Sequence, residues 1–283
     1  MLECVANVAE GRDSRRLETL AAACGPALLD LHADPDHHRS VFTLAGPGDH
    51  DAAEAAARLA NAVAEHLDLR NHRGVHPRLG ALDVVPFVSL GEPGPVAVAA
   101  ARAFAGWLAE SLQVPVFFYD EADPERRSLP ELRRAAFAGR SPDVGPPARH
   151  QRLGATAVGA RAPLVAVNCW LDRDDLALAR SIAAEVRGRD GGLAGVRALG
   201  FSLPSAARVQ VSMNVTDLGT TGVEAACTAV RERAEVAGAA VERVEWVGLL
   251  PASELDRCSP AFRAWSGLDG SRTVEGRLAT ARG

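Results

Sequence analysis

The chain has 283 residues, 47% of them hydrophobic, which is enough for a real core in one large or two moderate domains. A net charge of −5 with no basic stripe argues against a nucleic-acid partner. No apolar run reaches the roughly 20 residues that cross a bilayer, and the N-terminus has no signal-peptide pattern, so the expectation is a cytoplasmic protein with no membrane partner. In the first half, Leu2–Val8 reads as a strand and Asp13–Cys24 as a helix. Ala27–Leu31 and Val41–Ala45 read as strands. Asp51–Asp68 reads as a long helix, opened by Asp51 and Glu54 at capping-box spacing. Its residues Ala55, Leu59, Ala62, Val63, His66 and Leu67 recur roughly at helical spacing. Ala81–Phe87 reads as a buried strand closed by a proline.

An insertion follows. Gly94–Leu112 reads as a helix and Val114–Tyr119 as a strand. Residues 120–154 form a connector, charged at first and then rich in Pro and Gly. The second half repeats the first. Pro163–Leu171 is a strand, and Arg173–Arg187 a helix preceded by Asp172. Val196–Leu203 and Ala206–Val215 are strands, the latter with strong alternation. Thr221–Ala237 is a helix capped by Thr221 with Glu224, and Val241–Val247 a strand. Both halves read β-α-β-β-α-β, the ferredoxin-like order. The expected fold class is therefore α+β, with subdomains 1–162 and 163–283. The polar, Gly-rich tail after Pro251 is expected to fray.

The most telling stretch is residues 70–87. Its first half concentrates His72, Arg73, Gly74, His76, Pro77, Arg78 and Gly80 where no helix can form. A rigid turn of imidazoles and guanidiniums at a strand edge suits proton transfer beside an anion. A plain polar turn fits the local chemistry equally well. Seven of the eight histidines lie in the first 76 residues. Asp34-Pro-Asp-His-His-Arg39 is the second polar cluster. Adjacent His37 and His38 point apart at a strand entry, which makes them a poor chelate, so no metal site is expected. His37 and His50 read as solvated turn residues, and His66 as a satisfied structural histidine.

All 31 basic residues are arginine. That excludes a lysine Schiff base and a P-loop lysine, and it suits forked recognition of carboxylates. Five scattered cysteines read as reduced, buried thiols. No GxSxG, GxGxxG or HExxH pattern occurs. Acid/base chemistry by histidine, beside arginines that hold an anion, is what is left.

At this point the residues match a known pattern. His72-Arg-Gly-Val-His-Pro-Arg-Leu-Gly-Ala-Leu-Asp-Val-Val-Pro-Phe87 closely resembles the signature of the formiminotransferase domain family. Glu3–Gly11, Leu29–Thr43, Val114–Tyr119, Ser128–Arg133, Asp143–Pro146, Gly154–Arg161 and Gln210–Asn214 are similar to further family stretches, in order, across residues 2 to 254. The resemblance implies two α/β subdomains and a homodimer. It implies transfer of the formimidoyl group from N-formimidoyl-L-glutamate to N5 of tetrahydrofolate, in histidine catabolism. Tetrahydrofolate would be a co-substrate, with no tightly bound cofactor. The family's catalytic histidine falls on His76. Its folate loop falls on Gly145 to Gly154, of which Gly145, Pro146 and Gly154 match directly, and Pro147 within it is included in the folate site. To these, charge and proximity add Arg39, Arg78 and His72 for the donor substrate, and Arg149 and Arg152 for the folate tail. Asp83 is expected to be structural, closing the turn.

The connector Asp143–Gly154 is expected to line the folate site while contributing little to the core. Gly154→Val would then block the ligand and spare the fold. No cyclodeaminase segment follows, so the next step is expected on another polypeptide. The chain departs from the pattern at Ala6 (usually Pro), Val8 (usually aromatic), Ala9 (usually Ser) and His38 (usually Asn). Two rival readings therefore stand: a formyl or formimidoyl transferase with another amine donor, and a non-catalytic folate-binding protein. Retention of His76 counts against the second.

Overall fold

The structure, a computed structural model, describes residues 1–48, 50–73, 78–91 and 95–281. The chain divides into two compact units, Met1–Arg161 and Ala162–Gly283. The first runs β1 (Leu2–Val8), α1 (Ser14–Cys24), β2 (Leu28–Asp34), β3 (Arg39–Ala45), α2 (Asp51–His66), β4 (Leu82–Ser89), α3 (Pro95–Leu112), β5 (Val116–Asp120), α4 (Leu129–Ala135) and β6 (Thr156–Arg161). Its sheet order is β2-β3-β1-β4-β6-β5. The first four strands are antiparallel and ferredoxin-like, while β4, β6 and β5 run parallel to one another.

Burial explains both faces. Cys4, Ala6, Val8, Phe42, Leu44 and Phe87 pack under Leu59, Val63, Phe104 and Leu108 of the helices. On the opposite face, α4 lays Leu132 and Ala136 on Val84, Phe117, Tyr119 and Ala157. β6 is a strand that the sequence pattern does not mark. Its residues Thr-Ala-Val-Gly-Ala-Arg are small because it is a central strand. A Cβ at Gly159 would collide with the Tyr119 ring. No long apolar side chain marks such a strand for pattern reading.

The second unit runs β7 (Val165–Leu171), α5 (Leu176–Val186), β8 (Val196–Leu203), β9 (Arg208–Val215), α6 (Val223–Val236), β10 (Val241–Val247), α7 (Ala252–Arg257), α8 (Pro260–Ser266) and α9 (Val274–Ala281). Its sheet order is β10-β7-β9-β8, antiparallel throughout. Val209, Val211, Met213 and Val215 of β9 turn inward to α5 and α6.

Several expected helix starts are corrected. Asp13 does not open α1 but caps it, accepting the Arg15 and Arg16 N–H groups. Asp51, however, does not form a capping box, and its carboxylate accepts the Gly48 N–H instead. Asp175 caps α5, whereas Asp172 takes the Ala240 N–H beside the sheet. Thr221 donates to the Ala194 carbonyl and Glu224 accepts from Ser259. The orphan N–H of Val223 at the start of α6 is capped by Glu254 from α7, at 2.7 Å. The described part of the tail, residues 252–281, is therefore folded and does not fray as expected. Phe262, Leu268 and Cys258 join the core of this unit, and Leu278 is buried as well.

Candidate functional site

One edge of the first sheet gathers the functional side chains. Val8, at the end of β1, is paired both with Ser40 of β3 and with Leu82 of β4. The ends of β1 and the starts of β3, β4 and β6 thus lie side by side, and four loops meet there. Ala9 donates to the Ala81 carbonyl at 2.8 Å, and Ala81 to the Leu153 carbonyl at 2.9 Å. The β1–α1 loop seats directly on the β2–β3 hairpin, since a Cβ at Gly11 would strike the backbone of Asp34 and Arg39.

Asp83 anchors this edge. It is 2% exposed. Its Oδ1 accepts the Leu79 N–H at 2.6 Å, its Oδ2 accepts Arg133 at 2.5 Å, and the Arg39 guanidinium stands 3.8 Å away. A buried carboxylate needs such partners, because an unpaired charge there is expensive. Asp83 closes the turn as expected. Arg133, fifty residues on, closes the Ser128–Arg133 stretch, but nothing local in the sequence pairs it with Asp83. Arg39 donates from Nε to the Asn7 side-chain oxygen at 3.0 Å, and from a second nitrogen to the same atom. Burial pushes its pKa down to about 10, with Asp83 opposing, so it is charged at neutral pH.

The imidazoles form a second layer. His38 stacks on His72, with ring centroids 4.0 Å apart and 20° between planes. The Arg78 guanidinium lies 3.2 Å from His72 Nε2. Glu10, 3% exposed, accepts the N–H groups of Gly11, Arg12 and Asp13. Burial raises its pKa, but the Arg12 and Asp13 N–H groups, His38 and Arg16 prevail and hold the carboxyl below its usual range. Val8, Ala9, His37, His38, Arg39, Arg78 and Asp83 line a small cavity. Three of the four departures from the family pattern, Val8, Ala9 and His38, therefore face it.

His76 lies outside the described residues. His37 is not a solvated turn residue: it is buried and its Nδ1 binds Asp34. His66 is exposed rather than structural. All five cysteines are free and buried. Burial raises the Cys4 thiol and pushes Cys24 up to about 12, which makes them poor nucleophiles. Among the described residues, no three His, Cys, Asp or Glu side chains converge as metal ligands would, and no helix is long and apolar enough to cross a membrane.

The connector is less uniform than expected. Gly145 and Pro146 sit at the start of β5 and, with Gly106, Ala109, Glu110, Gln113 and Val144, line an open groove of about 470 Å³. Pro147 is exposed, and Arg149 lies over the Phe137 ring, 4.5 Å from its centroid. Arg152 donates to the carbonyls of Ala64 and Leu67, clamping the C-terminal end of α2. Gly154 is the main correction. Its φ is +74°, it bridges to Gly80, and a Cβ there would strike the Leu79 carbonyl. It is a glycine because the turn before β4 and the connector approach closely, so its substitution does not spare the fold.

The comparisons with known proteins complete this picture. Residues 1–161 match the formiminotransferase domain, N-terminal subdomain, and residues 166–263 match the formiminotransferase domain. The chain is 35% identical over 271 residues to the glutamate formimidoyltransferase of Streptococcus pyogenes serotype M1, covering 90% of each chain. It is 34% identical over 296 residues to that of Thermoplasma acidophilum, covering 98% of this chain and 97% of the other. It is also 34% identical over 276 residues to the formimidoyltransferase-cyclodeaminase of Rattus norvegicus, covering 90% of this chain and 51% of the longer one. With both subdomains matched in order and relatives aligned almost end to end, this chain belongs to the formiminotransferase domain family.

Proposed function

We propose that this chain is a glutamate formimidoyltransferase, moving the formimidoyl group of N-formimidoyl-L-glutamate to N5 of tetrahydrofolate. The observation that carries the reading is the near end-to-end similarity to enzymes of that name. The arginine- and histidine-rich sheet edge supports it, because the donor is a dicarboxylate. N5 attacks the formimidoyl carbon, giving a tetrahedral intermediate. The bond from that carbon to the glutamate nitrogen then breaks. His76 takes the proton from N5 and returns it to the leaving nitrogen. Holding both substrates in one site supplies much of the remaining acceleration.

Arg78 and His72 are assigned to a donor carboxylate. Arg39 stands behind them, shared between Asn7 and Asp83. Gly145, Pro146, Pro147 and Arg149 are assigned to folate, with Arg152 and Gly154 holding the loop in place. A cytoplasmic homodimer is part of the proposal.

A different amine donor is the second reading, favoured by the cavity position of Val8, Ala9 and His38. Purified protein, tetrahydrofolate and a panel of N-formimidoyl amino acids decide between them. Formation of 5-formimidoyltetrahydrofolate fastest from the glutamate derivative is the expected result. Faster transfer from another member selects the second reading, and no transfer from any member rejects both.

A further inference from the structure

We infer that His38 is a positioning residue: stacked on His72, it holds that ring so that the His72 Nδ1–H is offered to a carboxylate oxygen of the donor substrate. The tautomers follow from the partners. Arginine only donates hydrogen bonds, so His72 Nε2, 3.2 Å from the Arg78 guanidinium, is the accepting nitrogen. A neutral His72 then carries its proton on Nδ1. That atom is buried and has no hydrogen-bond partner among the described residues. Buried donors are rarely left unmade, and one beside a guanidinium suits an anionic oxygen. The ligand class this donor would take is therefore a carboxylate.

His38 supplies the wall that fixes the donor's direction. Its ring lies 4.0 Å from that of His72 and nearly parallel to it. It is itself held by the Gly11 N–H, which donates to its Nδ1 at 3.1 Å. Gly11 is immobilised in turn, because Glu10 accepts the Gly11, Arg12 and Asp13 N–H groups. The charged groups facing His38 are Glu10, Arg12, Arg16 and Arg78. Glu10 Oε1 stands 3.4 Å from Nδ1, longer than an ordinary hydrogen bond. Burial lowers the His38 pKa, Glu10 opposes this, and the three arginines add to it. At neutral pH the ring is uncharged, accepts at Nδ1 and acts on His72 as a flat neighbour. A flat apolar ring should replace it.

The inference rests on the transferase reading for its substrate, but not for its geometry. The test uses His38→Ala, His38→Phe, His72→Ala and the double variant His38→Ala/His72→Ala, with N-formimidoyl-L-glutamate varied at saturating tetrahydrofolate. His38→Ala should lower kcat/KM about tenfold, mainly through KM, as expected for a misplaced charge-assisted bond. His38→Phe should recover most of that loss, and the double variant should be no worse than His72→Ala alone. Equal loss in the Ala and Phe variants, or additive losses in the double variant, overturns the inference. Ring ¹⁵N shifts of His72 give a second readout in the substrate-free protein. The parent and His38→Phe should show protonated Nδ1, and His38→Ala a mixture of tautomers. If the shifts are the same in all three, the positioning role is rejected. If they behave as expected while N-formimidoyl-L-glutamate is not turned over, only the donor assignment falls.

Discussion

The two units of this chain share one strand order and even one hairpin turn, yet only the first carries the charge cluster. Between β2 and β3 the turn reads Pro35-Asp-His-His38 and Arg39 opens the next strand. Between β8 and β9 it reads Pro204-Ser-Ala-Ala207 and Arg208 opens the next strand. His38 and Ala207 both have a φ of +50°. The left-handed residue is therefore a property of the hairpin, not strain stored for catalysis. What differs is the use of the positions. His38 stacks on His72 and Arg39 is half-buried between Asn7 and Asp83, whereas Ala207 is exposed and Arg208 reaches Glu242 at the surface. The connections into the last strand differ more. Fifteen residues, 67 to 81, join α2 to β4, against the four of 237–240 that join α6 to β10. Fold alone does not make a site; loops grafted on the fold do.

The long connection holds His76, so its loss should be the largest effect. His76→Ala should cut turnover by ~10²–10⁴-fold, the range for a lost general acid/base, with tetrahydrofolate affinity little changed. Gly238→Ala, in the short counterpart, should leave turnover within a factor of about two: its added atom meets open space, and the ~1–2 kcal/mol strain of alanine at a φ of +69° is a cost to stability, not to chemistry. Steady-state kinetics and folate titration check both. Parent-like turnover in His76→Ala would remove the functional distinction between the two connections.

The first unit also extends its sheet by β6 and β5, and Gly154, two residues before β6, packs on the turn that leads into β4. Gly154→Val puts a β-branched side chain at a φ of +74° and against the Leu79 carbonyl. A loss of about 3–5 kcal/mol is expected from the combined backbone and steric terms. The measurement is denaturant unfolding alongside folate titration. A folded variant that merely fails to bind folate would show that the connector, and not the sheet, sets the need for glycine.

Arg39 and Arg208 allow the same position to be compared directly. Arg39→Ala leaves Asp83 with Arg133 and the Leu79 N–H, but removes a half-buried cation and the Asn7 bonds. A destabilisation of about 2–3 kcal/mol is expected, below the full cost of an isolated buried charge. Arg208→Ala, an exposed ion pair, should not shift unfolding measurably. Arg78→Ala should instead raise the donor KM by ~1.5–3 kcal/mol with stability kept, since its guanidinium is half-buried and lines the cavity. An unchanged KM would move the carboxylate to other residues.

Much of this was legible in sequence, and the misses share a cause. β1, β8 and β10 carry clean alternation or apolar runs and were read to their ends. β6 was missed because small residues suit a central strand that must admit Tyr119. The His-Arg turn stands out by composition alone. Arg133, Asn7 and Glu10 do not, because their partners lie elsewhere in the chain or on the backbone. Caps were misjudged where a side chain from another element took the job, as Glu254 does for α6. Local propensity is overridden by tertiary contacts in each case.

The finest test of the comparison replaces the left-handed residue of each hairpin by glycine. An L-residue in that region costs ~1–2 kcal/mol relative to the right-handed one, and glycine costs ~0.5–1 kcal/mol in extra chain entropy. At exposed Ala207 only these two effects operate, so Ala207→Gly should stabilise by about 0.5 kcal/mol. At His38 the same backbone relief is outweighed. The Gly11 N–H keeps Glu10 but loses its second acceptor, a shared bond at the low end of ~0.5–1.5 kcal/mol, and the stack on His72 is lost, worth ~0.5–1.5 kcal/mol beyond its area. His38→Gly should therefore destabilise by roughly 1 kcal/mol. The two substitutions should shift the urea midpoint in opposite directions at unchanged slope. Shifts of the same sign would mean that the His38 ring contributes nothing beyond its backbone, and the two hairpins would then differ in sequence but not in function.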